Sequence, residues 1–451
     1  MAQRTSRIQS PTARGAVTTE AERKTRLVLK TLGTPSQKFY VLVAIATIGF
    51  LWWLQAWAFQ LKEGMVVDGI ADWGTSGGVP WGMYVGSFIW WVGIAHGGII
   101  ISAAVRLFKL EVFKPVTRLA ELLTISALSM AGLYIILHLG RPDRMVTSII
   151  PHFAERVHFS PLIWDVTVIT LYFVMTGTYL LLSIRSDIYE LRRRLPKFLD
   201  PLYQLLLFMH EPKENEKVER MLWWLAFAVI ILAPLLLHGG VIPWLFALLP
   251  SMPGWNSAIQ GPQFLSIALT SAIGSVIFLA YIFRQIYGWK ELIPDKTFHR
   301  LGALLALFAL FFLWLQLQQI ITGSFAPSVG VGIVTNAKVN NLPYWAAMGT
   351  VAAAMIYLGA QTIFPVIFSV GRTVAAGLAA VLAVLLEKTL FVVEGLAHPA
   401  FNLYPGVPGE YLPSWVELSS IIGVVSMMAL FFAVIPKVIP VIEVTGEKKE
   451  E

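Results

Sequence analysis

The chain has 451 residues, of which 56% are hydrophobic and only 14% charged, with no cysteine and a mean hydropathy of +0.68. A soluble domain carries about 25% charged residues, which excludes a soluble enzyme, a disordered regulator and a secreted disulfide scaffold. Without thiols the chain can hold neither an iron–sulfur cluster nor a covalently attached c-type haem. The formal charge of +7 would point to nucleic acid in a soluble protein, so its distribution along the chain has to be read first.

Residues 1–37 are basic, rich in Ser and Thr, and lack an apolar stretch, which predicts a flexible cytoplasmic tail and no signal peptide. Ten apolar runs follow, at 39–59, 81–108, 119–139, 161–184, 221–238, 263–283, 301–321, 343–370, 374–396 and 414–435. A helix needs about 20 such residues to cross a hydrocarbon core of roughly 30 Å. The runs show no strand alternation, and lipid tolerates only helices or closed barrels. The fold class is therefore an all-α integral membrane protein of about ten transmembrane helices. Between the fourth and fifth runs, the stretch Leu202–His210 predicts an interfacial amphipathic helix, or alternatively a partner-docking one. Prolines just before Trp81, Trp164, Trp345 and Trp415 hint that spans 2–5 and 6–9 are two related units.

Basic residues set the orientation. With the N-terminus inside, 28 of the 34 Lys and Arg fall on inner segments; Lys62, Arg141, Arg144, Arg156 and Lys338 lie outside, and Lys388 lies within a span. Both termini are expected in the cytoplasm, with the chain in the cytoplasmic membrane. The basic excess is then a topology signal that meets lipid head groups, and no nucleic-acid partner is implied.

Ionisable groups inside a span are costly and serve as functional candidates by default. They are His96, Glu121, His138, Asp165, His238, Glu387, Lys388, Glu394 and Glu417. His138 ends the third run and Asp165 lies about one turn inside the fourth, so antiparallel neighbours would bring an imidazole and a carboxylate to similar depth near the outer face. Such a pair suits proton exchange with a two-electron, two-proton carrier such as a quinone. The alternative is structural, with His138 capping its helix and Asp165 bonded to Arg141 or to backbone amides. In the ninth run, Glu387 and Glu394 share a face; together with Lys388 they form either a proton route or a buried ion pair that fixes packing. Gln316, Gln318 and Gln319 read as interhelical hydrogen-bond glue. Bis-histidine haem needs facing histidines at equal depth, which His96 lacks and only His138 and His238 could supply, so no haem is expected.

The runs GVPWGMYVGSFIWWVGIAHGGIIISAAVRLF, RLAELLTISALSMAGLYIILHLGRPDR and FSPLIWDV resemble NrfD/PsrC-type membrane subunits of polysulfide-reductase-like complexes. EKTLFVVEGLAHP and GEYLPSWVE resemble the ten-span branch of that family, which includes the quinol-oxidising subunit of alternative complex III and sulfur-metabolism relatives. After Gly140-Arg141-Pro142 the chain has Asp143-Arg144 where alternative complex III subunits tend to have an aromatic, which is nearer the sulfur-metabolism relatives.

The resemblance implies two four-helix bundles plus flanking helices. The chain divides accordingly into a tail (1–37), a first helix (38–60), a first bundle with an outer-face quinone site (61–240), a second bundle (241–396), an outer loop with the last helix (397–435) and a cytoplasmic tail (436–451). It also implies a quinone-reactive subunit of a respiratory electron-transfer complex that is not an enzyme in isolation. Menaquinone or ubiquinone would be the bound substrate, and an iron–sulfur subunit on the outer face would be a partner, together with further membrane or catalytic subunits. His138 and Asp165 occupy the family's quinone-pocket positions, and Arg141 adjoins them. The competing reading is a secondary transporter or ion-translocating protein that uses the polar groups of the seventh and ninth spans.

Overall fold

The computed structural model describes residues 22–33, 35–69, 81–156, 161–208, 210–211, 215–235, 241–325, 327–400 and 411–444. Among them are ten helices long and apolar enough to cross a membrane. These are α1 (Gln37–Glu63), α2 (Gly82–Leu107), α3 (Lys114–His138), α4 (Pro161–Leu191), α5 (Asn215–Leu232), α6 (Gln260–Tyr287), α7 (Asp295–Ser324), α8 (Leu342–Ile363), α9 (Val370–Ala397) and α10 (Trp415–Val434). Several run past the apolar cores read from the sequence; α4 continues to Leu191 and α7 begins at Asp295. Helical hydrogen bonding does not stop at the hydrocarbon boundary, and polar side chains at these ends bond to neighbouring helices.

Helix α2 is the hub, with 89% of its apolar stretch buried against 22% for α1. It packs on α3 and α5 in one bundle and on α6 and α9 in the other. Close approach requires small residues at the contact: a Cβ at Gly97 would collide with Ala272 and with the carbonyl of Ala268 on α6. Helices α6, α7, α8 and α9 pack pairwise into the second bundle, while α1 and α10 pair with each other and flank the first.

The ten helices alternate in direction and bring the described ends, residues 22–33 and 435–444, to one side of the bundles, here called the terminal side; the other is the far side. On the terminal side, residues 22–28 are helical and continue into a 3-10 turn at Leu29–Leu32. This part of the expected flexible tail is instead docked. Val28 is buried, the Trp289 indole donates to the Leu27 carbonyl at 2.9 Å, and Arg23 pairs with Glu291 at 2.6 Å. A basic composition hid a short apolar segment (Leu27, Val28, Leu29, Leu32) that has a surface to cover. The segment between α4 and α5 carries the short helix Asp200–Leu206, with Tyr203 buried and donating to the Val438 carbonyl at 2.8 Å, while Leu205 and Phe208 are exposed. His238 and the outer-loop stretches 70–80 and 401–410 lie outside the described residues.

Candidate functional site

The far-side end of the first bundle is built where α3 stops. His138 is its last residue, and Gly140 follows with φ +66°, a left-handed conformation that glycine adopts without Cβ strain. The His138 Nδ1 lies 2.8 Å from the Tyr134 carbonyl. A carbonyl can only accept, so Nδ1 carries the proton and the neutral imidazole presents Nε2 as its acceptor. One residue earlier, the Leu137 carbonyl accepts from Gln60 Nε2 at 2.9 Å, and Gln60 Oε1 accepts from the Tyr84 hydroxyl at 2.6 Å. The Tyr84 and Tyr134 rings lie 6.4 Å apart, and the Tyr134 hydroxyl meets Ser420 at 3.3 Å. Helices α1, α2, α3 and α10 are thus tied together beside His138.

Asp165 sits in the first turns of α4, which packs on α3, and is 1% exposed. Its Oδ1 is buried without a hydrogen-bond partner. No ion pair or hydrogen bond joins Asp165 to His138 among the described residues. Arg141 does not reach Asp165 either: its guanidinium makes two bonds to Asp143, at 2.9 and 2.8 Å, and both side chains are exposed. That bond holds the Asp143 carboxyl below its usual range. The structural alternative for Asp165, anchoring by Arg141, is therefore not made.

Asp165 begins a stripe along one face of α4 that continues through Tyr172, Thr176, Tyr179, Ser183 and Asp187. The oxygens of Tyr172 and Thr176 are also buried and without hydrogen-bond partners, and the His96 ring on α2 lies 4.6 Å from the Tyr172 ring. Farther along, every member is bonded. Arg106 Nε donates to the Tyr179 hydroxyl at 2.9 Å, and Ser183 and Ser102 donate to Glu121 at 2.9 and 2.7 Å. Arg118 pairs with Asp187 and donates to the Ser183 carbonyl at 2.8 Å. Sequence reading missed Gln60, Tyr84, Tyr172 and Thr176, although their spacing of seven and eleven from Asp165 would have revealed the last two.

A second polar cluster lies at the far-side end of the second bundle, around a cavity of about 230 Å³ lined by Gln319, Lys338, Tyr344, Glu387 and Glu394 among others. Lys338, on the short helix Val329–Val339, donates to Gln316 at 3.0 Å and Gln319 at 2.7 Å. Burial pushes its ammonium pKa down to about 8. Gln316 donates to Glu387 at 2.8 Å, joining α7 to α9, and Asn341 donates to Glu394 at 2.6 Å. Glu387 pairs with Lys388 at 3.3 Å, and the Lys388 ammonium sits 3.8 Å from the centre of the Phe264 ring. Glu417 is a fastener: it caps α10 with Ser414 and accepts from the Tyr411 hydroxyl at 2.8 Å and the Gly69 amide at 3.0 Å. No group of three or more His, Asp or Glu suited to a metal occurs among the described residues.

Comparison with known proteins agrees with this architecture. The chain is 27% identical to a putative dimethyl sulfoxide reductase membrane subunit of Halobacterium salinarum, covering 90% of this chain and 91% of that one. It is 23% identical to a selenate reductase subunit of Mesobacillus selenatarsenatis, over 89% and 93%. It is 21% identical to the Hdr-like menaquinol oxidoreductase integral membrane subunit of Archaeoglobus fulgidus, over 87% and 90%. Residues 72–443 match the family described as polysulphide reductase, NrfD, and span nearly all of the bundled helices. The chain belongs to the NrfD family.

Proposed function

We propose that the chain is the quinone-reactive membrane subunit of a multi-subunit oxidoreductase complex, with the quinone head group bound at the far-side ends of α2–α5. The observation that carries this reading is the Asp165 carboxyl, 1% exposed with a buried oxygen that meets no hydrogen-bond donor, at the same membrane end as an imidazole whose acceptor nitrogen is Nε2. Buried polar atoms are normally satisfied, and the exceptions point to function. The relatives' names, which include a menaquinol oxidoreductase subunit, support the choice of a quinol.

In the oxidising direction a quinol gives two electrons to an iron–sulfur partner docked on the far side and releases two protons. His138 Nε2 takes the two hydroxyl protons in turn as the two electrons leave, and Asp165 stabilises the cation formed each time and passes each proton to the far aqueous phase. In the reducing direction the same steps run backwards. Arg141 belongs to the rim of this site, where Asp143 holds it. The charge distribution supports a cytoplasmic location for the termini, and hence for the terminal side. A photoreactive azidoquinone tests the location. It should crosslink within residues 134–172, and crosslinks confined to the second bundle would refute the placement.

A second reading, an ion-translocating protein, rests on the cavity beside Lys338, Glu387 and Glu394. It predicts ion flux through the isolated chain in liposomes, whereas the quinone reading predicts none without the partner subunits.

A further inference from the structure

On the terminal side, a groove of about 220 Å³ runs along the seam between the α1/α10 pair and helices α2, α6 and α9. It reaches from Phe39, Tyr287 and Phe432 near the helix ends to Trp90 and Trp91 at mid-membrane depth. Exposed rim residues, Phe278, Leu382 and Val425, open it sideways to the hydrocarbon. Its walls are almost wholly apolar. The Ser275 hydroxyl is spent on the Ser271 carbonyl at 2.8 Å, and the Trp90 indole on the Val381 carbonyl at 3.0 Å. Water needs two or more polar partners to occupy such a space, and a quinone head would find no donor on Ser275 or Trp90. A hydrocarbon chain needs none.

The mouth of the groove is basic. Lys437 Nζ lies 5.6 Å from the centre of the Phe39 ring and donates to the Gly33 carbonyl at 3.0 Å. Lys30 is exposed, and its ammonium reaches Gly288, next to the groove residue Tyr287. The two lysines lie on short 3-10 helices, Leu29–Leu32 and Ile435–Lys437, which touch each other. Among the described residues, no acidic side chain lines the groove. The preceding tail of this chain, with its Arg, Ser and Thr, lacks the apolar run that would fill it.

We propose that this seam binds one anionic phospholipid from the leaflet on the terminal side, with an acyl chain in the groove and the phosphate held by Lys30 and Lys437. The lipid mortars the α1/α10 pair to the second bundle, a role unconnected with the quinone site. The acyl chain supplies the fit and the two ammonium groups supply the choice of head group.

Native mass spectrometry of the full chain, titrated with phosphatidylglycerol or phosphatidylcholine in detergent, tests this. The wild type should retain one phosphatidylglycerol under conditions that strip other lipids, at least tenfold in preference to phosphatidylcholine. Lys30→Ala/Lys437→Ala should abolish that preference while the protein stays folded, and Ala429→Phe, which fills the groove, should remove the retained molecule altogether. Equal retention of the two lipids by the wild type, or a preference that survives the double lysine variant, would overturn the proposal. So would a retained molecule that proves to be quinone. Should Ala429→Phe fail to fold, the surface lysine variant still decides.

Discussion

Toward the terminal side, α4 buries Tyr179 and Asp187 and half-buries Ser183, each bonded to a residue of α2 or α3, whereas toward the far side it buries Asp165, Tyr172 and Thr176 with oxygens that meet no donor or acceptor. One helix and one stripe of residues therefore carry two different designs. The bonded half is paired around Arg118 and Glu121, groups whose desolvation is offset only by complete hydrogen bonding. The unpartnered half has no such compensation, so its polar groups cost stability. Natural sequences tolerate that cost mainly where a site has work to do. The second bundle is mixed: Gln316, Gln319 and Lys338 satisfy one another around its cavity, while one oxygen each of Glu387 and Glu394 is buried without a hydrogen-bond partner, that of Glu387 facing the Lys388 ammonium at 3.3 Å.

The largest expected effect comes from breaking the bonded half. Arg118→Ala leaves the Asp187 carboxylate buried without its guanidinium, which costs on the order of 3–5 kcal/mol and should prevent accumulation of folded protein. Asp165→Asn removes no bond, so its stability should stay level or rise by up to about 1 kcal/mol. Thermal unfolding of the two variants in detergent measures the contrast, and equal destabilisation would erase the distinction between the halves.

A smaller effect sharpens the place of the second bundle. Lys338 loses its proton near pH 8 when folded, against an ordinary value of 10.5 in the unfolded chain. It faces Glu387, Lys388 and Glu394, and desolvation outweighs the pull of the two carboxylates. Between those values the unfolded state binds more protons, so stability rises with pH across that window. Unfolding temperatures measured from pH 7 to 10 should rise in the wild type relative to Lys338→Met. Parallel curves would mean that Lys338 is not desolvated.

The ten helices, and the position of His138 and Asp165 near the adjoining ends of α3 and α4, were legible because apolar runs of about 20 residues leave lipid few alternatives. The partners of the site residues were not. The sequence puts Arg141 two residues from Asp143 and also near Asp165, and only the turn at Gly140 decides which carboxylate it meets. Gln60 looks like an ordinary polar residue closing an apolar run, and its bonds to Leu137 and Tyr84 cross between helices that no spacing rule connects. The docked segment at 22–33 was masked by its basic neighbours for the same reason: its burial depends on Trp289, more than 250 residues away in the sequence.

The proposed place of quinol chemistry is the unpartnered far-side half of the first bundle. Quinol-coupled turnover, normalised to the amount of assembled complex, tests it most directly in His138→Ala and Asp165→Asn. Loss of general acid–base groups typically costs about 10²–10⁴-fold in rate. Both variants should assemble normally and lose turnover on that scale, with Asp165→Asn still binding quinone. Poor assembly with near-normal turnover per assembled complex, or wild-type rates in both variants, would mean that quinol chemistry occurs elsewhere.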